Sequence, residues 1–173
     1  AFFVLLYSCV RNDCGRNDMR SAEGDMVKFM KQLGEVWRCA SLFRMKEYEK
    51  IGVGMYQDSY LIAVCECPGI TQEGIAKRIY VHKSNVARQI CSLEEKGFVE
   101  RRADPEDRRN LCVYPTQKAF DALPLLRKVR ADWNARVLEG LSDEECAEAV
   151  RLLDRLSENA KRVLEMRGGE EEG

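Results

Sequence analysis

Between residues 70 and 116 the apolar positions change from a helical period to an alternating one. Ile75, Ala76 and Ile79 make the stripe of a short helix that begins near Gln72 and ends near Tyr80. Thr71 stands where an N-cap belongs, because its hydroxyl can accept a backbone N–H left open at a helix start, and Glu73 suits the positive end of the helix dipole. Val86, Ile90 and Leu93 recur at i, i+4 and i+7, which predicts a second helix over about His82 to Lys96, closed by Gly97 as a left-handed cap. Phe98–Glu100 and Leu111–Tyr114 then read as short strands, joined by a charge-dense loop in which Asp104-Pro105-Glu106-Asp107 has turn chemistry. Two short helices followed by a charged hairpin is the layout of a winged helix-turn-helix. The expected class is mainly α with a small two- or three-stranded β wing.

Longer helical patterns flank this core. From 25 to 50, Met26, Phe29, Met30, Leu33, Val36, Trp37, Ala40 and Phe43 repeat at helical spacing, and the Gly52–Gly54 region joins them to a short apolar helix over 57–66. After the hairpin, Thr116 is expected to cap a helix over 116–138 that Pro124 kinks or that carries Pro124 in its first turns. Ser142-Asp143-Glu144-Glu145 is a capping box for a last helix over 142–167, with a near-heptad apolar stripe. The predicted organisation is an N-terminal extension over 1–24 outside the core fold, a first dimerisation helix over 25–50, a winged domain over 51–115, C-terminal dimerisation helices over 116–167 and a disordered tail over 168–173. The terminal helices carry more apolar surface than one copy covers, which predicts a homodimer. Ala1–Tyr7 has the apolar character of a signal peptide but no basic residue precedes it, and Met19 would make a natural start. No apolar run approaches the ~20 residues of a membrane span, so a cytoplasmic protein without a membrane partner is expected.

Charge changes the picture by its distribution. The chain has 28 Lys and Arg against 29 Asp and Glu, but residues 71–113 hold nine basic and seven acidic side chains, so the field is weakly polarised toward the two helices and hairpin taken together. Opposite the Val86–Ile90–Leu93 ridge, the second helix carries Ser84, Asn85, Arg88, Cys91 and Ser92, four of which can bond base edges or phosphates. A solvated helix face would look the same. The four arginines flanking the hairpin turn favour the nucleic-acid reading, because a narrow minor groove concentrates negative potential that attracts arginine. A salt-bridged hairpin is the alternative. The eight cysteines include no Cys-x-x-Cys pair and there is one histidine, so neither a metal site nor a cofactor is expected, and no constellation for an enzyme stands out.

Ile70-Thr71-Gln72, Ile75-Ala76, Lys83 through Arg88, Leu93 through Arg101 and Asp104 through Arg109 together resemble the MarR family of bacterial transcriptional regulators. The wing motif is met by Asp107, Arg109 and Thr116, with Pro115 where Leu is usual. The resemblance implies that the 82–96 helix enters the major groove through Lys83, Ser84, Asn85, Arg88 and Ser92, and that Arg109, oriented by Asp107 and aided by Arg108, enters the minor groove. Thr71, Gln72 and Arg101 are expected on the DNA backbone. It further implies a homodimeric repressor on a pseudo-palindromic duplex, released by a small aromatic effector for which Trp37, Phe43, Tyr56 and Tyr60 could line a cavity or simply form core. Some members of the family sense oxidants through a first-helix cysteine, a thiol-based alternative for which Cys39 lies in the right helix but about two turns beyond the sensing position. A winged module that docks on protein instead of DNA is the other.

Overall fold

The computed structural model describes residues 22–103 and 111–168, with side chains from 28 to 103 and from 111 to 166. Among the described residues there are six helices and three strands: α1 (Ala22–Glu49), α2 (Gln57–Glu66), β1 (Ile70–Thr71), α3 (Gln72–Ile79), α4 (Lys83–Glu95), β2 (Val99–Ala103), β3 (Leu111–Pro115), α5 (Gln117–Val137) and α6 (Asp143–Gly168). The described residues divide into two compact units, one up to residue 40 and the other from residue 41 on. In the first, α1 exposes Phe29, Met30, Leu33, Val36 and Trp37. In the second, α2, α3 and α4 pack around one core with the sheet and α5.

The apolar spacing explains that core. Val86, Ile90 and Leu93 of α4 are each fully buried, as are Ile75 of α3 and Leu61 and Val64 of α2. They meet Phe98, Val99 and Val113 from the sheet and Ala119, Leu123, Leu126 and Val129 from α5. Burying about ten such side chains, each contributing roughly 1.5–3 kcal/mol, is what holds three short helices that would be marginal alone.

Local chemistry sets the element ends. The Thr71 hydroxyl accepts the Gly74 N–H at 3.0 Å, the cap expected from sequence. Gly97 has φ +74°, where an L side chain would be strained, and α4 stops there. Ser142 and Glu145 close the expected box, with the Ser142 N–H donating to Glu145 at 2.8 Å and the Glu145 N–H to the Ser142 hydroxyl at 3.2 Å.

One feature decides between the two or three strands expected, and two differ from the sequence expectation. Ile70–Thr71 is a strand, and the sheet order is β1-β3-β2 with all pairs antiparallel, Ile70 facing Val113 and Arg102 facing Cys112. The Thr116 hydroxyl does not cap α5; it lies 2.8 Å from the Gly97 carbonyl and 3.0 Å from that of Phe98, while the Thr116 N–H donates to Phe98 at 2.9 Å. Pro124 does not interrupt α5, which is assigned unbroken from Gln117 to Val137 with Pro124 on its exposed side.

Candidate nucleic-acid interface

α4 turns one face inward and the other out. Lys83, Ser84, Asn85 and Arg88 are all exposed along the N-terminal half of the helix, opposite the buried ridge. His82 caps this end, its ring nitrogen 2.7 Å from the Ser84 hydroxyl. One turn on, an Arg88 guanidinium N–H donates to the Asn85 side-chain oxygen at 3.0 Å, which lays the guanidinium along the helix surface. Among the described residues, Lys83 and Arg88 enter no salt bridge, so their charge is available to an anion.

Four other basic residues nearby are engaged by carboxylates. Lys77 pairs with Glu73 at 2.8 Å and Arg78 with Glu66 at 2.7 Å. Arg101, expected on the DNA backbone, is committed to Glu94: its backbone N–H donates to one carboxylate oxygen and its Nε to the other, both at 2.9 Å, and Nη2 adds a further bond. This grip ties the base of the wing to α4. It holds the Glu94 carboxyl below the usual carboxylate range, chiefly through the Arg101 side-chain bond. Arg102 pairs with Glu100 and lies 4.7 Å over the Tyr114 ring.

Two further candidates turn inward. Ser92 is half-buried and its hydroxyl receives a hydrogen bond from Gln57 at 3.1 Å, so it faces α2 and not solvent. The Thr71 hydroxyl is spent on the cap of α3, while Gln72 beside it is half-buried. Asp107, Arg108 and Arg109 lie outside the described residues.

Sequence reasoning passed over the first turn of α2. Asp58 is 3% exposed, and its carboxylate accepts from the Tyr48 hydroxyl at 3.2 Å and from Arg130 Nε and Nη2 at 3.1 and 2.8 Å, with Arg44 at 3.5 Å. Burial, reinforced by the Asp58 charge, pushes the Tyr48 hydroxyl above its ordinary range, so Tyr48 remains a donor. Paired buried charge inside an otherwise apolar helix leaves no periodic trace in a sequence.

A cavity of about 490 Å³ lies between the second half of α1 and α5, lined by Leu42, Phe43, Leu125 and Val129 with Lys46, Lys128 and Arg136 among its polar residues. Of the four aromatic candidates only Phe43 lines it, tilted against Trp133 with ring centroids 5.5 Å apart. Tyr60 is a core residue, Tyr56 is exposed in a left-handed conformation at φ +82°, and Trp37 lies in the other unit. Cys39 is exposed and Cys112 buried, and Cys65, Cys67, Cys91 and Cys146 are half-buried. Among the described residues no group of three or more His, Cys, Asp or Glu could hold a metal ion, and no helix is long and apolar enough to cross a membrane.

The MarR family profile matches residues 58–111, from the start of α2 to the return strand of the wing. The HTH-type transcriptional regulator YybA of Bacillus subtilis (strain 168) is 29% identical over 140 residues, covering 81% of this chain and 93% of that protein. The crystal structure of the transcriptional regulator SlyA is 30% identical with a TM-score of 0.74, over 78% of this chain and 94% of that one. The same fold occurs in a MarR-family regulator from Listeria monocytogenes solved with a 26mer DNA, 22% identical with a TM-score of 0.70 over 83% of this chain and 89% of that one. With these matches the helix-turn-helix and wing have their counterpart, and the chain belongs to the MarR family of transcriptional regulators, DNA-binding winged helix-turn-helix proteins and not enzymes.

Proposed function

We propose that the chain is a repressor that binds a pseudo-palindromic duplex operator as a homodimer in the cytoplasm. α4 enters the major groove, where Lys83 and Ser84 meet phosphates and Asn85 and Arg88 meet base edges; Asp107, Arg108 and Arg109 serve the adjacent minor groove. The observation that carries this reading is the exposed Lys83–Arg88 face on a helix whose opposite ridge is fully buried. A relative of the same fold solved with 26mer DNA supports it.

Dimerisation is supported by the apolar residues that α6 leaves exposed, among them Val150, Leu153, Leu156, Val163 and Leu164 at 39–56% exposure. Two-fold symmetry places two recognition helices about one DNA turn apart. The α1–α5 cavity, where Leu42, Phe43, Leu125 and Val129 meet Lys46, Lys128 and Arg136 as well as Glu47 and Asp132, is the place for a small aromatic effector with polar substituents that releases the DNA.

The test uses duplexes selected from random DNA. Wild-type affinity is expected to fall by ~10³ or more between low and moderate salt, as roughly six to ten phosphate contacts require. Arg109→Ala should weaken binding and Arg88→Ala should relax base preference. Unchanged affinity and preference in both would refute the reading surface, and a monomeric mass by light scattering would refute the symmetric operator. Salt-insensitive capture of protein in place of DNA would favour the docking-module alternative, and loss of DNA affinity after peroxide treatment would favour the thiol-based one.

A further inference from the structure

Gln57, at the first turn of α2, is 4% exposed, yet its side-chain amide has every hydrogen-bonding place filled. The amide nitrogen donates to the Gln89 side-chain oxygen at 3.2 Å and to the Ser92 hydroxyl at 3.1 Å. The amide oxygen accepts the Gly54 N–H at 2.8 Å and the Lys96 ammonium at 2.9 Å. Two of these partners, a backbone N–H and an ammonium, can only donate, so the orientation of the amide is fixed by chemistry. Gly54 belongs to the same arrangement: a Cβ there would stand 3.0 Å from the Gln57 side-chain oxygen.

Three of the four partners, Gln89, Ser92 and Lys96, lie on one flank of α4 and at its C-cap. The apolar ridge of Val86, Ile90 and Leu93 holds α4 down, but packing of aliphatic side chains has little directional preference. Hydrogen bonds have a great deal. Reading base edges needs side chains held to about 0.5 Å and 10–20°. The next residue, Asp58, is anchored to Arg130 of α5 and to Tyr48 and Arg44 of α1, so the turn that carries Gln57 is itself immobilised.

We propose that Gln57 is a positioning residue for DNA recognition: its buried amide sets the rotation of α4 against α2, and with it the direction in which Ser84, Asn85 and Arg88 face. This rests on the assignment of α4 as the reading helix. Gln57 touches no DNA; it acts through α4.

The test compares the full-length wild type with Gln57→Met and Gln57→Glu on a duplex selected by the wild type and on a scrambled duplex, with Gln57→Leu as a second apolar replacement and the folded fraction measured by circular dichroism. Gln57→Met is expected to keep its affinity for scrambled DNA and its salt slope, because phosphate contacts tolerate small rotations, while the ratio of specific to non-specific affinity falls on the order of tenfold, the lower range for one lost base contact. Gln57→Glu is expected to keep the ratio, since a carboxylate accepts from Gly54, Lys96, the Ser92 hydroxyl and a turned Gln89 amide. An unchanged ratio in both apolar variants overturns the proposal. So does an equal loss on both duplexes, the mark of a merely structural role, or a loss in Gln57→Glu as large as in Gln57→Met. A wild type with no preferred sequence overturns the DNA reading itself, whereas a selective wild type matched by its apolar variants overturns the positioning role alone.

Discussion

Asp58→Ala is the perturbation with the largest stability effect to be worked from this fold. The carboxylate is the point on which Arg130 and Arg44 converge and to which Tyr48 donates, so its removal takes the shared acceptor from both guanidinium groups and from the hydroxyl. Removing one partner of a buried ion pair costs roughly 3–5 kcal/mol. The Asp58 side chain is 4% exposed but that of Arg130 is 36% exposed and can turn toward water, which places the expected loss at the lower end. We expect about 3 kcal/mol, a fall in Tm of about 6–12 °C for a chain of this size. Asp58→Asn keeps the shape and one acceptor and should lose about 2 kcal/mol, the range for a hydrogen bond to a charged group. Circular dichroism during urea unfolding measures both, at one fixed protein concentration because association would raise the apparent stability. An Asp58→Ala protein within ~0.5 kcal/mol of wild type, the range of an ordinary surface change, would refute the reading of Asp58 as the electrostatic tie among α1, α2 and α5.

Other outcomes follow from smaller features. Thr71→Ala removes the hydroxyl that accepts the Gly74 N–H and should cost about 1 kcal/mol in urea unfolding, while an unchanged midpoint would show that the cap is satisfied by water. The Cys65 thiol is pushed up to about 11 by burial from an ordinary value of 9.0, so alkylation at pH 8 should be slow in the native protein and fast after unfolding. Because the folded form holds this proton more tightly than the unfolded one, stability should decline as pH rises from 9 toward 11, and a Cys65→Ala protein with the same alkaline decline would refute that assignment.

Much of the fold was legible because it rests on local rules. Thr71, Gly97 and the Ser142–Glu145 box mark helix ends through backbone chemistry that any tertiary setting preserves, and Val86, Ile90 and Leu93 could face only a core. The third strand was not legible, since Ile70–Thr71 is two residues long and exists by virtue of Val113 and Cys112, forty residues away in the chain. The candidate recognition face was half legible. Lys83, Ser84, Asn85 and Arg88 stand outward as a helical wheel predicts, but Ser92 and Arg101 are drawn to Gln57 and Glu94 by partners that spacing does not encode. Gln57 and Asp58 carry no periodic signal in the 57–66 segment, and only the packed structure shows that α1, α4 and α5 all reach them. Pro124 shows the opposite bias: the general rule forecasts disruption, yet as the eighth residue of α5, on its exposed side, it leaves the helix unbroken.

The double anchorage of Thr116 on the Gly97 and Phe98 carbonyls has an evolutionary consequence. The hairpin leaves the body and returns to it at this pinned crossing, and the Arg101–Glu94 grip and the pairing of β1 with β3 fasten its first rungs as well. Each doubling of a loop's length costs only about 0.6 kcal/mol. Descendants of one ancestral scaffold can therefore vary the length of the connection between β2 and β3 at small cost, with no need to rebuild the body that carries it.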